Sequence, residues 1–135
     1  KGQSVPEMTK WFPTTLAAVE QLDIPRITVR APSTLFSRLA PGASIPPHHG
    51  VMNARLICHL PLIVPPGCGF RVGGEVREWH EGELLVFDDT VEHEAWNQGS
   101  SDRIILIFDV WRPEVSAEER RAITALFEVV DNYGV

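Results

Sequence analysis

The chain is written in short apolar runs that alternate with polar positions and stop at Gly and Pro. Residues 24–30, 34–39, 55–64, 69–72, 75–79, 83–87, 92–97 and 103–111 read as strands on this pattern. Ala31-Pro32-Ser33, Pro41-Gly42, Pro65-Pro66-Gly67, Gly73-Gly74 and Glu81-Gly82 separate them, and Gly73-Gly74 suits a two-residue hairpin turn. Pro46-Pro47 holds the backbone extended into His48. Alternation over 55–64 places Arg55, Ile57 and His59 on one face and Leu56, Cys58, Leu60 and Leu62 on the other. That is a barrel wall with an apolar outside and a partly polar lumen. In 103–111, Arg103, Ile105, Ile107 and Asp109 share one face, and Ile104, Leu106, Phe108 and Val110 are apolar on the other. Such a strand is central and covered on both sides.

The period changes only at the ends. Residues 14–22 form a short helical candidate within a segment interrupted by Pro6 and Pro13. Ser116 followed by Glu119 is a capping box for a helix over 117–130, whose Ile123, Leu126, Phe127 and Val130 should pack on the outside of the sheet. Seven to nine short strands and one closing helix predict an all-β jelly roll, or double-stranded β-helix. The expected layout is one domain, with a covering segment over 1–23, a β core over 24–113 and the helix over 116–130.

Composition narrows the function. With 135 residues, the chain can bury a core without staples. A net charge of −6 argues against nucleic acid as a partner. No apolar run is long enough to span a membrane, so no membrane contact is expected from this segment. Cys58 and Cys68 match no zinc spacing and read as two reduced thiols, which implies a cytoplasmic protein. A start at Lys1 without a signal-peptide pattern is expected of a fragment.

Candidate chemistry gathers on three residues. A jelly roll brings distant strands face to face, so His48 and His93 can share a divalent metal although far apart in sequence. Two His with open positions resemble the facial triad of non-haem iron oxygenases, but the position of the triad carboxylate is Gly50. Arg103 lies on a covered strand and requires an anion. Asp109 or Asp89 would satisfy it internally; a dicarboxylate co-substrate would do so from outside.

The blocks His48-x-Gly50, Asn53-Ala54-Arg55-Leu56, His59-Leu60, Gly82 to Asp89, Glu92-His93-Glu94-Ala95-Trp96 and Phe108 to Glu114 together resemble the aspartyl/asparaginyl β-hydroxylase family. The resemblance runs from about Ser37 to Arg120. It implies an Fe(II)- and 2-oxoglutarate-dependent dioxygenase that uses O2 to hydroxylate the β-carbon of an aspartyl or asparaginyl residue, or of a related free or carrier-bound amino acid. Gly50 then becomes a family trait. His48 and His93 would ligate iron; Arg103, helped by Ser37, would hold the distal carboxylate of 2-oxoglutarate, and His59 the carboxylate beside the keto group. Asp89 would stand near the ligands or serve only as a turn residue. Arg55 is the candidate for a substrate carboxylate. The animal enzymes carry a second arginine two positions along, where this chain has Ile57. His49 should point away from the metal. The competing reading is a non-catalytic cupin-like module that binds a metal or ligand.

Overall fold

The computed structural model describes residues 3–27 and 30–133. Eight strands form two four-stranded antiparallel sheets. They are β1 (Leu35–Leu39), β2 (Ser44–His48), β3 (Arg55–Ile63), β4 (Cys68–Val72), β5 (Glu75–Arg77), β6 (Leu85–Phe87), β7 (His93–Asn97) and β8 (Arg103–Trp111). One sheet runs β1-β8-β3-β6 and the other β2-β7-β4-β5. Apart from the β4–β5 hairpin, neighbours in each sheet are far apart in sequence, which is the wrapping of a double-stranded β-helix.

The register settles the faces. Ser37 lies opposite Ile105, while Ile57 faces Asp109 and His59 faces Ile107. Directly opposed residues share a face, so Ser37, Ile57, His59, Ile105, Ile107 and Asp109 line one inner wall. On the other wall, Phe70 opposes Ala95 and Val72 opposes His93. Between the walls, Leu39, Phe70, Trp79, Ala95 and Ile105 form a buried core.

The outer face of the first sheet is also covered, as the doubly apolar β8 requires. Two short helices, α1 (Pro6–Trp11) and α2 (Pro13–Glu20), precede the barrel. Val19 of α2 packs with Ile24, Cys58, Leu106 and Phe108. The closing helix α3 (Ala117–Asn132) has the expected box: Glu119 N–H donates to Ser116 Oγ at 3.3 Å, and Ser116 N–H donates to Glu119 Oε2 at 2.8 Å. Its Ile123 and Phe127 seal a cluster of Ile27, Ala31, Met52, Ala54 and Trp111. Leu126, expected in that seam, is 60% exposed.

Residues 24–30 do not make the strand expected of them. Within the described part, Ile24, Pro25 and Ile27 are buried, and Ile27 bridges only to Ala31. Residues 28 and 29 lie outside the described residues. Its described apolar residues are buried in coil, which carries the same apolar signature as a strand.

Candidate functional site

His48 and His93 meet across β2 and β7, directly paired in register. The approach depends on a bulge. Ile45 opposes Ala95, yet His48 rather than Pro47 opposes His93, so β2 carries one extra residue at Pro46-Pro47. The rings come to 4.1 Å between centroids, inclined at 56°. Each Nδ1 lies 2.8 Å from a carbonyl two residues earlier, that of Pro46 for His48 and of Val91 for His93. A carbonyl only accepts, so both Nδ1 atoms carry the proton and both Nε2 lone pairs are free for a metal. Burial, aided by the charge of His48 and only partly opposed by the Val91 carbonyl, which raises it, leaves the pKa of His93 below its ordinary value and favours the neutral ligand form. The ring of His49 turns instead to the Thr90 carbonyl, 3.1 Å from its Nδ1.

Gly50 is explained by what lies beside it. A Cβ there would stand 2.1 Å from Asp89 Oδ2, and the Gly50 N–H donates to the Asp89 carbonyl at 2.5 Å. The space that a triad carboxylate at position 50 would use is filled by the carboxylate of Asp89. Asp89 lies in the turn after β6, yet it is buried, and its Oδ1 has no hydrogen-bond partner among the described residues. Among those residues, no three His, Cys, Asp or Glu side chains converge as a metal set. Two imidazoles with free Nε2 atoms and one orphaned carboxylate oxygen fit a divalent ion that keeps open positions.

Deeper in the lumen stands Arg103, 1% exposed. Neither acid considered for it reaches it: Asp109 and Asp89 are both bonded to Arg55. Its Nη2 donates to Ser37 Oγ at 2.8 Å, its guanidinium lies 4.7 Å above the centre of the Trp79 ring, and its Nε is unpartnered. Burial pulls its pKa down to about 10, so it remains a cation at neutral pH. Among the described residues, Lys10, Arg26 and Arg121 also lack an acid partner, but all three are exposed. Arg103 is thus the single buried cation there without an anion.

His59 lies in the same chamber. The Trp79 indole N–H donates to its Nδ1 at 3.2 Å, which assigns the proton of the neutral ring to Nε2. Burial first, then Arg103 and His93, push its pKa down to about 3. The ring is therefore a neutral N–H donor. A consequence for stability follows from linkage. The ordinary value is 6.5, so below about that pH the unfolded chain binds a proton that the fold refuses. Stability is full above 6.5 and falls as pH drops toward 3, by up to about 1.4 kcal/mol per pH unit. Urea midpoints measured from pH 6.5 to 4 should fall less steeply for His59→Asn; equal slopes in the two chains would refute this.

Arg55 is buried as expected of its lumenal face, but its guanidinium is already engaged. Nη1 donates to Asp109 at 2.5 Å, and Nη2 lies 3.3 Å from Asp89 Oδ2. Asp109 is completely buried, and its other oxygen accepts the Ser33 N–H at 2.9 Å. Asp88, the neighbour of Asp89, accepts from Thr90 N–H and Thr90 Oγ and pairs with Arg112, which fixes the loop that ends at His93. Sequence reading assigned no role to Trp79 or to Asp109 as the partner of Arg55. The available signals were an indole N–H and a carboxylate on covered strands, each needing a partner.

A cleft of about 660 Å³ opens between the edge strands β5 and β6, and Val72 and Phe87 are among its lining residues. The Phe87 ring stands 5.1 Å from that of His93. A second cleft, of about 450 Å³, lies between α1, α2 and β1 on the outside, away from the histidines.

The chain is 39% identical over 127 residues to the mouse aspartyl/asparaginyl beta-hydroxylase, matching 93% of this chain and 17% of that protein. It is 45% identical over 92 residues to the human protein of the same name, matching 67% of this chain and 12% of the relative. It is 44% identical over 95 residues to the mouse aspartate beta-hydroxylase domain-containing protein 2, covering 68% and 28% of the two chains. It therefore spans less than a third of the length of these relatives. Among solved structures, the Cupin_2 domain of an XRE family transcriptional regulator from Enterobacter cloacae superposes with a TM-score of 0.52 at 15% identity, over 69% of this chain and 86% of the other. That likeness concerns the fold, which is the double-stranded β-helix described above. The family model for aspartyl/asparaginyl beta-hydroxylases matches residues 1–113, and the chain belongs to that family.

Proposed function

We propose that this domain is an Fe(II)- and 2-oxoglutarate-dependent hydroxylase acting on the β-carbon of an asparaginyl or related neutral side chain. One observation carries the reading. Arg103 is a buried cation with no acid partner among the described residues, and it shares a chamber with two imidazoles whose Nε2 atoms are free. Burying an unpaired guanidinium is costly, and a dicarboxylate that reaches it from the metal side removes the penalty. His48 and His93 would hold the iron. Arg103 and Ser37 would hold the distal carboxylate of 2-oxoglutarate, and His59 Nε2–H would donate to the carboxylate beside the keto group. When bound, iron and 2-oxoglutarate supply the oxidising chemistry with O2. The chain orients both acids, excludes water with Phe70, Trp79 and Phe87, and keeps His59 uncharged as a donor.

The charge around the histidine pair favours a neutral acceptor. Arg55 and Arg112 are matched there against Asp88, Asp89 and Asp109, two cations facing three carboxylates. Ile57 is buried between Arg55 and His59 and adds no further cation. An acidic substrate side chain would meet no free arginine other than Arg103, and like charges repel at this range.

Anaerobic addition of Fe(II) and 2-oxoglutarate together should give the weak visible charge-transfer band of a chelated keto acid. Succinate release should then be at least tenfold faster with an asparaginyl peptide than with its aspartyl twin. A folded chain without the band would instead be a metal- or ligand-binding module. Equal rates with the two peptides would remove the preference for a neutral side chain.

A further inference from the structure

We infer that Cys68 is a covalent modification site in the Arg103 chamber: small electrophiles that carry a carboxylate reach its thiol, and the substituted sulfur then excludes the dicarboxylate. The exclusion rests on the proposed role of Arg103 in holding 2-oxoglutarate; the access to the thiol does not.

Strand parity and register place the thiol. Along β4, Cys68, Phe70 and Val72 share one face, and Phe70 belongs to the core between the two walls. Val72 lies opposite His93, so Cys68 stands toward the other end of the chamber. It packs on the cluster that contains Leu39 and Trp79. The Arg103 guanidinium stacks on that same Trp79 ring, and Arg103 is the register partner of that same Leu39. Opposite Cys68 is Asn97, whose Nδ2 donates to the Leu39 carbonyl at 2.9 Å. Packing, stacking and register thus bring the thiol to the Arg103 end.

Arg103 supplies what a thiol alone lacks. It is almost fully buried and its Nε is unpartnered, so an anion that enters the chamber gains a charge-assisted hydrogen bond. Its charge also acts on the sulfur: burial holds the Cys68 thiol above its ordinary pKa, and Arg103 pulls it back down. Cys58 has neither advantage. It is buried under α2 with Val19, Ile24, Leu106 and Phe108, and burial, with Asp109, pushes its thiol up to about 11. Cys68 is the partly exposed cysteine of the two.

A haloacid such as iodoacetate combines both recognition elements. Its carboxylate pairs with Arg103 while the sulfur attacks the carbon that bears iodine. The C–S bond forms as the C–I bond breaks, iodide leaves with the electron pair, and the thiol proton passes to solvent. The carboxylate left on the sulfur then occupies the place at Arg103 that the distal carboxylate of the co-acid would use.

Alkylation at one fixed pH tests this, with iodoacetate and iodoacetamide as probes and peptide mass spectrometry to identify the labelled cysteine. At Cys68, the ratio of iodoacetate to iodoacetamide rates should exceed the ratio for glutathione by about 10-fold or more, as where a charged cleft concentrates its counter-ion. Arg103→Met should return that ratio to the glutathione value, and Cys58 should stay unlabelled in the folded chain. With Mn(II) present, 2-oxoglutarate should slow the labelling of Cys68, and the carboxymethylated chain should lose calorimetric binding of 2-oxoglutarate. A glutathione-like ratio at Cys68 in the parent chain would overturn the site, whether or not the Arg103 variant folds. Retained 2-oxoglutarate affinity in a labelled chain whose thiol 2-oxoglutarate protects would overturn the exclusion. A raised ratio without protection would uphold the thiol site and remove the co-acid from Arg103, which is a separate result.

Discussion

Replacing Arg103 with Met should lower 2-oxoglutarate affinity on the order of 100-fold while leaving the chain without co-acid no less stable than the parent. The two effects have opposite origins. In the bare fold, the guanidinium is buried with one hydroxyl partner, a stacked indole and an unpartnered Nε. Removing an unpaired buried charge in favour of an apolar side chain of similar length is neutral or stabilising, by about 1–4 kcal/mol in related cases. Met also keeps a favourable contact with the Trp79 ring. With the co-acid present, the variant loses charge-assisted hydrogen bonds worth roughly 1.5–3 kcal/mol each. Calorimetric titration with 2-oxoglutarate beside urea midpoints of the free chains separates the two quantities. A variant that unfolds would make Arg103 a structural residue. A variant that binds 2-oxoglutarate as the parent does would move the co-acid elsewhere.

His48→Ala and His93→Ala should each weaken Fe(II) or Mn(II) binding more than about 100-fold, beyond the 10–100-fold expected for an outer partner of a ligand. His49→Ala should leave it within about twofold. The contrast follows from hydrogen bonding as much as from position. His48 and His93 donate from Nδ1 to carbonyls two residues earlier and free Nε2, whereas the His49 ring is tied to Thr90 across the loop. With only two protein ligands, no other imidazole in the chamber replaces a lost one, because His59 presents N–H rather than a lone pair from Nε2. Equal losses in all three variants would mean that His49 shares the metal.

Strand parity carried much of the site. Alternation along β3 and β8 placed His59, Arg55, Arg103 and Asp109 on one inner face, and the register bears that out. Ser37 follows from its pairing opposite Ile105. Parity cannot choose partners, however. Arg103, Arg55 and Asp109 sit on polar strand faces by parity, and only the three-dimensional closure gives Asp109, together with Asp89, to Arg55. Gly50 read as a missing carboxylate by spacing and as a family trait by resemblance; that its Cβ would collide with the Asp89 carboxylate is visible only in three dimensions. Residues 24–30 misled for a different reason. Burial writes the same apolar pattern into a coil that lacks a neighbouring strand as into one that has it.

The extra residue in β2 decides which of two adjacent histidines enters the site. Without it, a regular ladder running from Ile45 opposite Ala95 would set Pro47 opposite His93 and turn His49, not His48, to the inner face. Straightening the strand would thus exchange His48 opposite His93 for His49 opposite Val91, and the two imidazoles would no longer face each other.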